Sequence, residues 1–367
     1  MRCSIQIIVP YVFLFFILFY LCFFLHTNGR HRFVYEEILN NQSTVIAPQQ
    51  NNPSFPIPVG VFHQPEFHNK IIDLRTFNYE GKCREPFQYQ QNNKRDLWLT
   101  AVGFKNHGYW LNNKNEILLS YALANSTIPN ADRVLLLMPG IHINNFVELT
   151  ESYGIRVVNA TLPRIYNIEK CQDASKRMFA FHDFVLHNRE KYDRILISDH
   201  RDVFIFADFF ETFSKEELVF TAECGRYKDW CLDFNSGPDA YRWMAHTYGV
   251  NAANEYRKNN SIYINVGTIF GGTGRILKYL DLMVKSLVPA KWDAWGHDQT
   301  VHDFVFYSYF FQRENVTMER CSQRFCFLEK KPMGYDAKNK TLMNIYTGCA
   351  PVMRHKVPQI YTGKNKK

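Results

Sequence analysis

The 367-residue chain contains no Cys-x-x-Cys pair and no neighbouring Cys/His quartet, which argues against a structural zinc site. It has no internal repeat, so a solenoid or propeller is not expected. Its Lys and Arg residues outnumber Asp and Glu by 43 to 35, yet they are scattered rather than gathered into runs. The net charge of +8 therefore reads as suiting anionic small molecules or an anionic surface better than nucleic acid. Charge is missing altogether from residues 5–25, and the His26-Thr27-Asn28-Gly29-Arg30 stretch that follows offers a poor signal-peptide cleavage site.

Those 21 uncharged residues, IQIIVPYVFLFFILFYLCFFL, are long enough as a helix to cross a hydrocarbon core of roughly 30 Å. The expectation is an uncleaved transmembrane signal anchor with residues 1–4 as a cytoplasmic tail. Arg2 on one side and Arg30 and Arg32 on the other leave the orientation to what lies downstream. Six Asn-x-Ser/Thr sequons, at Asn41, Asn125, Asn159, Asn259, Asn315 and Asn339, suit a lumenal body. Beyond Cys3 and Cys22, seven cysteines remain: Cys83, Cys171, Cys224, Cys231, Cys321, Cys326 and Cys349. They fit a few disulfides in an oxidising compartment, with Cys224/Cys231 and Cys321/Cys326 as plausible local loops. One thiol is then left over, or paired between chains, and a homo-oligomer, disulfide-linked or non-covalent, is an open alternative.

Residues 26–95 are rich in Asn, Gln and Pro, a composition that buries little apolar surface and reads as a stem. From Asp96 the pattern changes. Short apolar runs over 97–102, 133–138, 155–158, 194–199, 218–221 and 263–272 predict strands. Amphipathic segments over 115–124, 145–153, 173–188, 241–248, 276–287 and 298–309 predict helices. Strands alternating with helices imply an α/β body with a mostly parallel sheet covered on both faces. From Glu314 onward the chain predicts irregular loops.

The segment 192–206, YDRILISDHRDVFIF, carries the chemistry. The apolar run Ile195-Leu196-Ile197 has the character of a buried strand, and it empties into Asp199 and Asp202 with Arg201 between them. Ligands collect beyond the carboxyl ends of parallel strands, and paired carboxylates can hold a hard divalent cation that grips a diphosphate. The plainer alternative is that Asp199 caps a turn and Asp202 pairs with an arginine. Downstream, Asn265-Val266-Gly267 ends a strand that runs into Gly271-Gly272-Thr273-Gly274 at a helix start, where amides favour anions. Asp298 in Gly296-His297-Asp298-Gln299 opens another helix and could simply cap it. His355, between Arg354 and Lys356, could bring an imidazole to a metal and cationic groups to phosphate.

The order ILISDHRDVFIF, INVGTIFGG, GHDQTVHDF, PVMRHK, behind an anchor and a stem, resembles the Golgi type II glycosyltransferases of the GT-A fold, among the nucleotide-diphospho-sugar transferases. The resemblance covers about residues 96–356, with 357–367 a basic tail, and implies a Rossmann-like sheet flanked by helices. It implies Asp199, Asp202 and His355 as ligands of Mn²⁺ or Mg²⁺, and Arg354 or Lys356 as a phosphate contact. Asn265 and Gly267 would lie beside the donor sugar and acceptor, Asp298 and Gln299 would flank the anomeric carbon, and Thr100 and Ala101 would meet the base. The sequence departs from the family in one respect: the usual Asp-x-Asp is here Asp199-His200-Arg201-Asp202. An inverting enzyme needs a general base, which Asp298 could be; a retaining one needs none so placed, and the Asp-Gln pair is more similar to retaining relatives. The implied activity is transfer of a sugar from a nucleotide diphosphate to a glycan, glycoprotein or glycolipid at the Golgi or endoplasmic-reticulum membrane. The alternatives are a catalytically inactive lumenal carbohydrate-binding protein of the same fold, and a hydrolase that uses the same acids.

Overall fold

Seven strands that alternate with helices along the chain assemble into one sheet. The structure is a computed structural model and describes residues 89–103, 107–143, 145–227, 230–320, 324–327, 333–336, 341–344 and 351–356. The 5–25 segment, most of the stem, the 357–367 tail, Asn41, Asn339, Cys83, Cys321 and Cys349 lie outside the described residues. Among the described residues no helix is long and apolar enough to cross a membrane.

The first half alternates β1 (Asp96–Val102), α1 (His107–Thr127), β2 (Asp132–Leu137), α2 (Phe146–Ser152), β3 (Arg156–Asn159), α3 (Asp173–Asn188) and β4 (Arg194–Ser198). The chain steps outward from β1 to β2 and β3, then returns to pair β4 on the other side of β1, all in parallel. The direction of winding therefore reverses between β1 and β4, and open α/β sheets form their ligand crevice outside the carboxyl ends of strands at such a point. Every residue of β1 and β4 is buried. Trp98 and Leu196 enter one apolar cluster, while Leu97, Leu99, Ile195 and Ile197 enter another on the opposite face. That two-residue alternation with both faces covered is why these strands read as unbroken apolar runs.

The second half adds β5 (Val203–Ile205), β6 (Leu218–Ala222), β7 (Cys224–Tyr227), β8 (Trp230–Cys231), α4 (Pro238–Tyr248), α5 (Val250–Lys258), β9 (Ile264–Gly272), α6 (Thr273–Ser286), α7 (His297–Val305) and β10 (Thr317–Glu319). Strand β9 runs antiparallel between β4 and β6, giving the order β10-β6-β9-β4-β1-β2-β3. The short β7–β8 hairpin is closed by a Cys224–Cys231 disulfide. Cys326 is also disulfide-bonded, and Cys171 is a free, buried thiol.

The stretch beyond Glu314 is more regular than its sequence predicts. It holds β10, β11 (Phe325–Phe327), a β12 (Met333–Asp336) to β13 (Thr341–Asn344) hairpin and β14 (Met353–His355). Strand β14 lies between β11 and β5 in a second sheet. Three-residue strands are too short to show alternation, and only pairing with distant partners defines them.

At the amino end of β4, Arg194 forms a buried two-pronged pair with Asp96 at 2.7 Å on each prong. It also donates to the carbonyls of Gln90 at 2.9 Å and Phe210 at 2.5 Å. Asn92 accepts from the amides of Asn130 and Ala131 at 2.7 and 3.1 Å, so the segment just before β1 is sewn to the body. The carboxyl ends of β1 and β4 are thereby left as the open edge.

Candidate metal centre and active-site cleft

Strand β4 ends at Ser198, and the next backbone amide, of Asp199, donates to the Gly267 carbonyl of β9 at 2.8 Å. That bond holds Asp199 at the sheet edge while the chain turns through His200 and Arg201 to Asp202 and β5. Pairing of β5 with β14 then sets His355 opposite Val203. The imidazole Nε2 stands 3.4 Å from Asp199 Oδ2 and 3.4 Å from Asp202 Oδ1. All three ligand atoms lie within 4.8 Å of one another.

Each carboxylate divides its two oxygens in the same way. Asp199 Oδ1 is held by Arg177 of α3, while Oδ2 faces the imidazole. Asp202 Oδ2 accepts from Arg201 at 2.5 Å, while Oδ1 faces the imidazole. Two guanidinium groups therefore each hold one oxygen of an acid and leave the other turned to the imidazole.

Asn265 orients the third member. Its Nδ2 donates to Glu223 Oε1 at 2.8 Å, and its Oδ1 accepts from the Gly267 amide at 2.9 Å and from His355 Nδ1 at 3.0 Å. With Nδ1 committed as a donor, the neutral imidazole presents the lone pair of Nε2 to the acids, as a metal-binding histidine requires. Nε2 is buried and faces the inward oxygens of both acids. Two carboxylate oxygens and one such nitrogen could together hold a metal ion. Gly267 keeps the space open: a Cβ there would sit 2.4 Å from His355 Cε1 and 2.6 Å from Asp199 Oδ2.

Electrostatics follow from this packing. Burial resists the charge on Asp199, but Arg177 and His355 hold its carboxyl well below the usual range. Asp202 is likewise depressed against burial, by His355 and Arg201. Burial would lower His355, yet the charge of Asp202 and hydrogen bonding to both acids raise it to about 9. The imidazolium shares the offset of the two carboxylate charges with Arg177 and Arg201.

These groups line a cleft of about 670 Å³. Asp298, in the first turn of α7, lines it and accepts from Arg177 Nη2 at 3.1 Å. Burial pushes the Asp298 carboxyl above its ordinary range even beside Arg177. Gln299 acts as a clamp: Oε1 accepts from the Val266 amide at 2.9 Å and Nε2 donates to the Ile264 carbonyl and to Asp303. Lys356 lines the cleft with a left-handed backbone at φ 61°, its amide donating to the Asp202 carbonyl at 2.7 Å.

Compared with models of known families and with curated proteins, the chain matches none.

Of the residues singled out in the sequence, Asp199, Asp202, Asn265, Gly267, Asp298, Gln299, His355 and Lys356 converge on this one cleft. Arg354, next to His355 on a strand, alternates to the other side and is fully buried, outside the lining. Thr100 and Ala101 lie inside β1, buried in register with Leu135 and Leu136, and do not line the cleft either. Arg177 and Glu223 escaped sequence reading. Arg177 sits on a helix where a basic residue looks like part of a solvated face, and nothing in its neighbourhood marks the two acids it bridges.

Proposed function

We propose that the protein is a divalent-cation-dependent glycosyltransferase that moves a sugar from a nucleotide diphosphate to a carbohydrate-bearing acceptor. The observation that carries this reading is the convergence of Asp199 Oδ2, Asp202 Oδ1 and His355 Nε2 at the carboxyl edge of a mostly parallel sheet, beside a cleft of substrate size. A cation held by these three would supply positive charge against the growing negative charge of a diphosphate leaving group. Lys356 faces the same cleft and adds charge of the same sign. In the transfer, an acceptor hydroxyl oxygen bonds to the anomeric carbon, the bond to the diphosphate oxygen breaks, and the nucleoside diphosphate leaves with the electron pair. Asp298 is the cleft carboxylate positioned to take the acceptor proton in an inverting reaction. Its pairing with Arg177 and the resemblance of the Asp-Gln pair to retaining relatives favour retention. The anomer of the product, read from its proton coupling, decides between the two.

The proposed setting is a secretory-pathway membrane, with residues 5–25 as anchor and the body lumenal. Asn125, Asn159 and Asn315 are exposed and Asn259 is half-buried, so the described sequons offer room for glycans. If glycosidase treatment of protein made in a secretory host leaves its mobility unchanged, the lumenal assignment is overturned.

The activity is tested with a panel of nucleotide sugars, with and without Mn²⁺. Asp199→Ala and Asp202→Ala should each abolish cation-dependent donor binding and turnover with circular dichroism unchanged. Full activity in both variants would overturn the metal role. Donor cleavage that is independent of acceptor would identify a hydrolase, and saccharide binding without cation-dependent nucleotide affinity would identify a carbohydrate-binding protein.

A further inference from the structure

Of the exposed large apolar side chains among the described residues, Trp295 alone lines the cleft, and it is 71% exposed. Its turn is fixed from beneath. Gly296 has a left-handed backbone at φ 81°, and a Cβ there would meet the Trp243 ring at 2.2 Å. His297, almost fully buried, accepts from the Val288 amide at 3.1 Å through Nε2 and meets Thr247 at 3.3 Å through Nδ1. Thr300 anchors the turn again, donating to the Gly296 carbonyl from both its amide and its hydroxyl at 3.0 Å. The indole is thus displayed on a rigid support, three residues before Asp298, rather than left over on a loose loop.

Other residues that line the cleft indicate what it would meet. Asp239, at the start of α4, and Glu223 line the same cleft; Arg242 holds Asp239 Oδ1 at 2.7 Å and Asn265 holds Glu223 Oε1 at 2.8 Å, and the second oxygen of each carboxylate is a further acceptor. An exposed indole with acceptor oxygens in one cleft matches a pyranose ring, which offers an apolar C–H face and a rim of hydroxyl donors.

We propose that Trp295, with Asp239, forms a stacking subsite for the saccharide ring of the acceptor in the cleft that also holds the Asp199-Asp202-His355 centre. This assignment rests on the transferase reading for the word acceptor; the saccharide contact itself is measured independently. The full-length chain in lipid nanodiscs, as wild type, Trp295→Ala and Trp295→Phe, is titrated by saturation-transfer NMR with two arms of ligands. One arm is methyl glycosides of hexoses and hexosamines, and the other is the same sugars on octyl chains. The expected result is that Trp295→Ala weakens the preferred sugar about tenfold in both arms, the loss of one aromatic contact, while Trp295→Phe keeps most of the affinity. Mn²⁺-dependent binding of a nucleoside diphosphate stays at the wild-type level in both variants. Equal binding of every methyl glycoside by wild type and Trp295→Ala, including no binding by either, overturns the subsite. So does an effect seen only with octyl chains, which would place an alkyl tail on the indole. Absence of Mn²⁺-dependent nucleotide binding in wild type would instead defeat the transferase reading and leave the saccharide result to stand alone.

Discussion

Replacing Asp202 by Asn tests whether the imidazolium of His355 stands in for a cation. The imidazole lies 3.4 Å from one oxygen of each acid. Burial opposes its charge, but Asp202 and then Asp199 override burial and raise it from 6.5 to about 9. At about 1.4 kcal/mol per pH unit, that difference is worth about 3 kcal/mol of folding stability. Because the folded value is raised, the contribution is fully present below 6.5 and is lost as pH rises through about 9. Asn at 202 keeps the shape and removes one of the two negative charges, so His355 should titrate lower in the variant than in the wild type. The stability gap between the two proteins should be widest in mildly acidic solution and narrow through about pH 9. Cation affinity of the wild type should rise with pH over the same window, because each cation bound must displace the imidazole proton. Nitrogen-15 imidazole spectra give the titration, and calorimetry in buffers of different ionisation heat counts the released proton. A wild-type His355 that titrates near 6.5, or a cation bound at neutral pH without proton release, would refute this reasoning.

Gly267→Ala should destroy cation binding and cost about 1–3 kcal/mol of stability, because the added methyl overlaps His355 and Asp199; unchanged Mn²⁺ affinity by calorimetry would contradict it. Arg194→Met should cost about 3–5 kcal/mol in urea unfolding, since it leaves Asp96 buried and uncompensated; a loss below about 1 kcal/mol would show that the pair is dispensable. Asp132, which burial would raise, is held down to about 2 by Arg156, Lys191 and Tyr192. Its contribution should therefore be present above pH 3.8 and lost as pH falls toward 2, and Asp132→Asn should flatten that limb of an acid-unfolding curve.

Much of the frame was legible in the residues alone. The helix over 173–188 has the same limits in sequence and structure, because one apolar stripe faces the sheet over its whole length. Strands β1 and β4 announce themselves as apolar runs because burial on both faces leaves no polar alternation to confuse. The helix Val250–Lys258 went unread: its mean character is polar, and only Ala252, Ala253 and Tyr256 turn inward.

An apolar strand that empties into two acids fixes, by itself, a sheet edge with carboxylates on it, since burial of the strand and solvation of the acids are local demands. Which oxygen of each acid stays open was decided only in three dimensions, by Arg177 and Arg201 gripping the other. The same holds for His355, which stands 90 residues beyond Asn265 and reaches it through pairing of β14 with β5. A histidine in a short polar segment carries no local mark of its partners. Its role comes from a hydrogen-bonded ladder between strands distant in the chain, which no local pattern encodes.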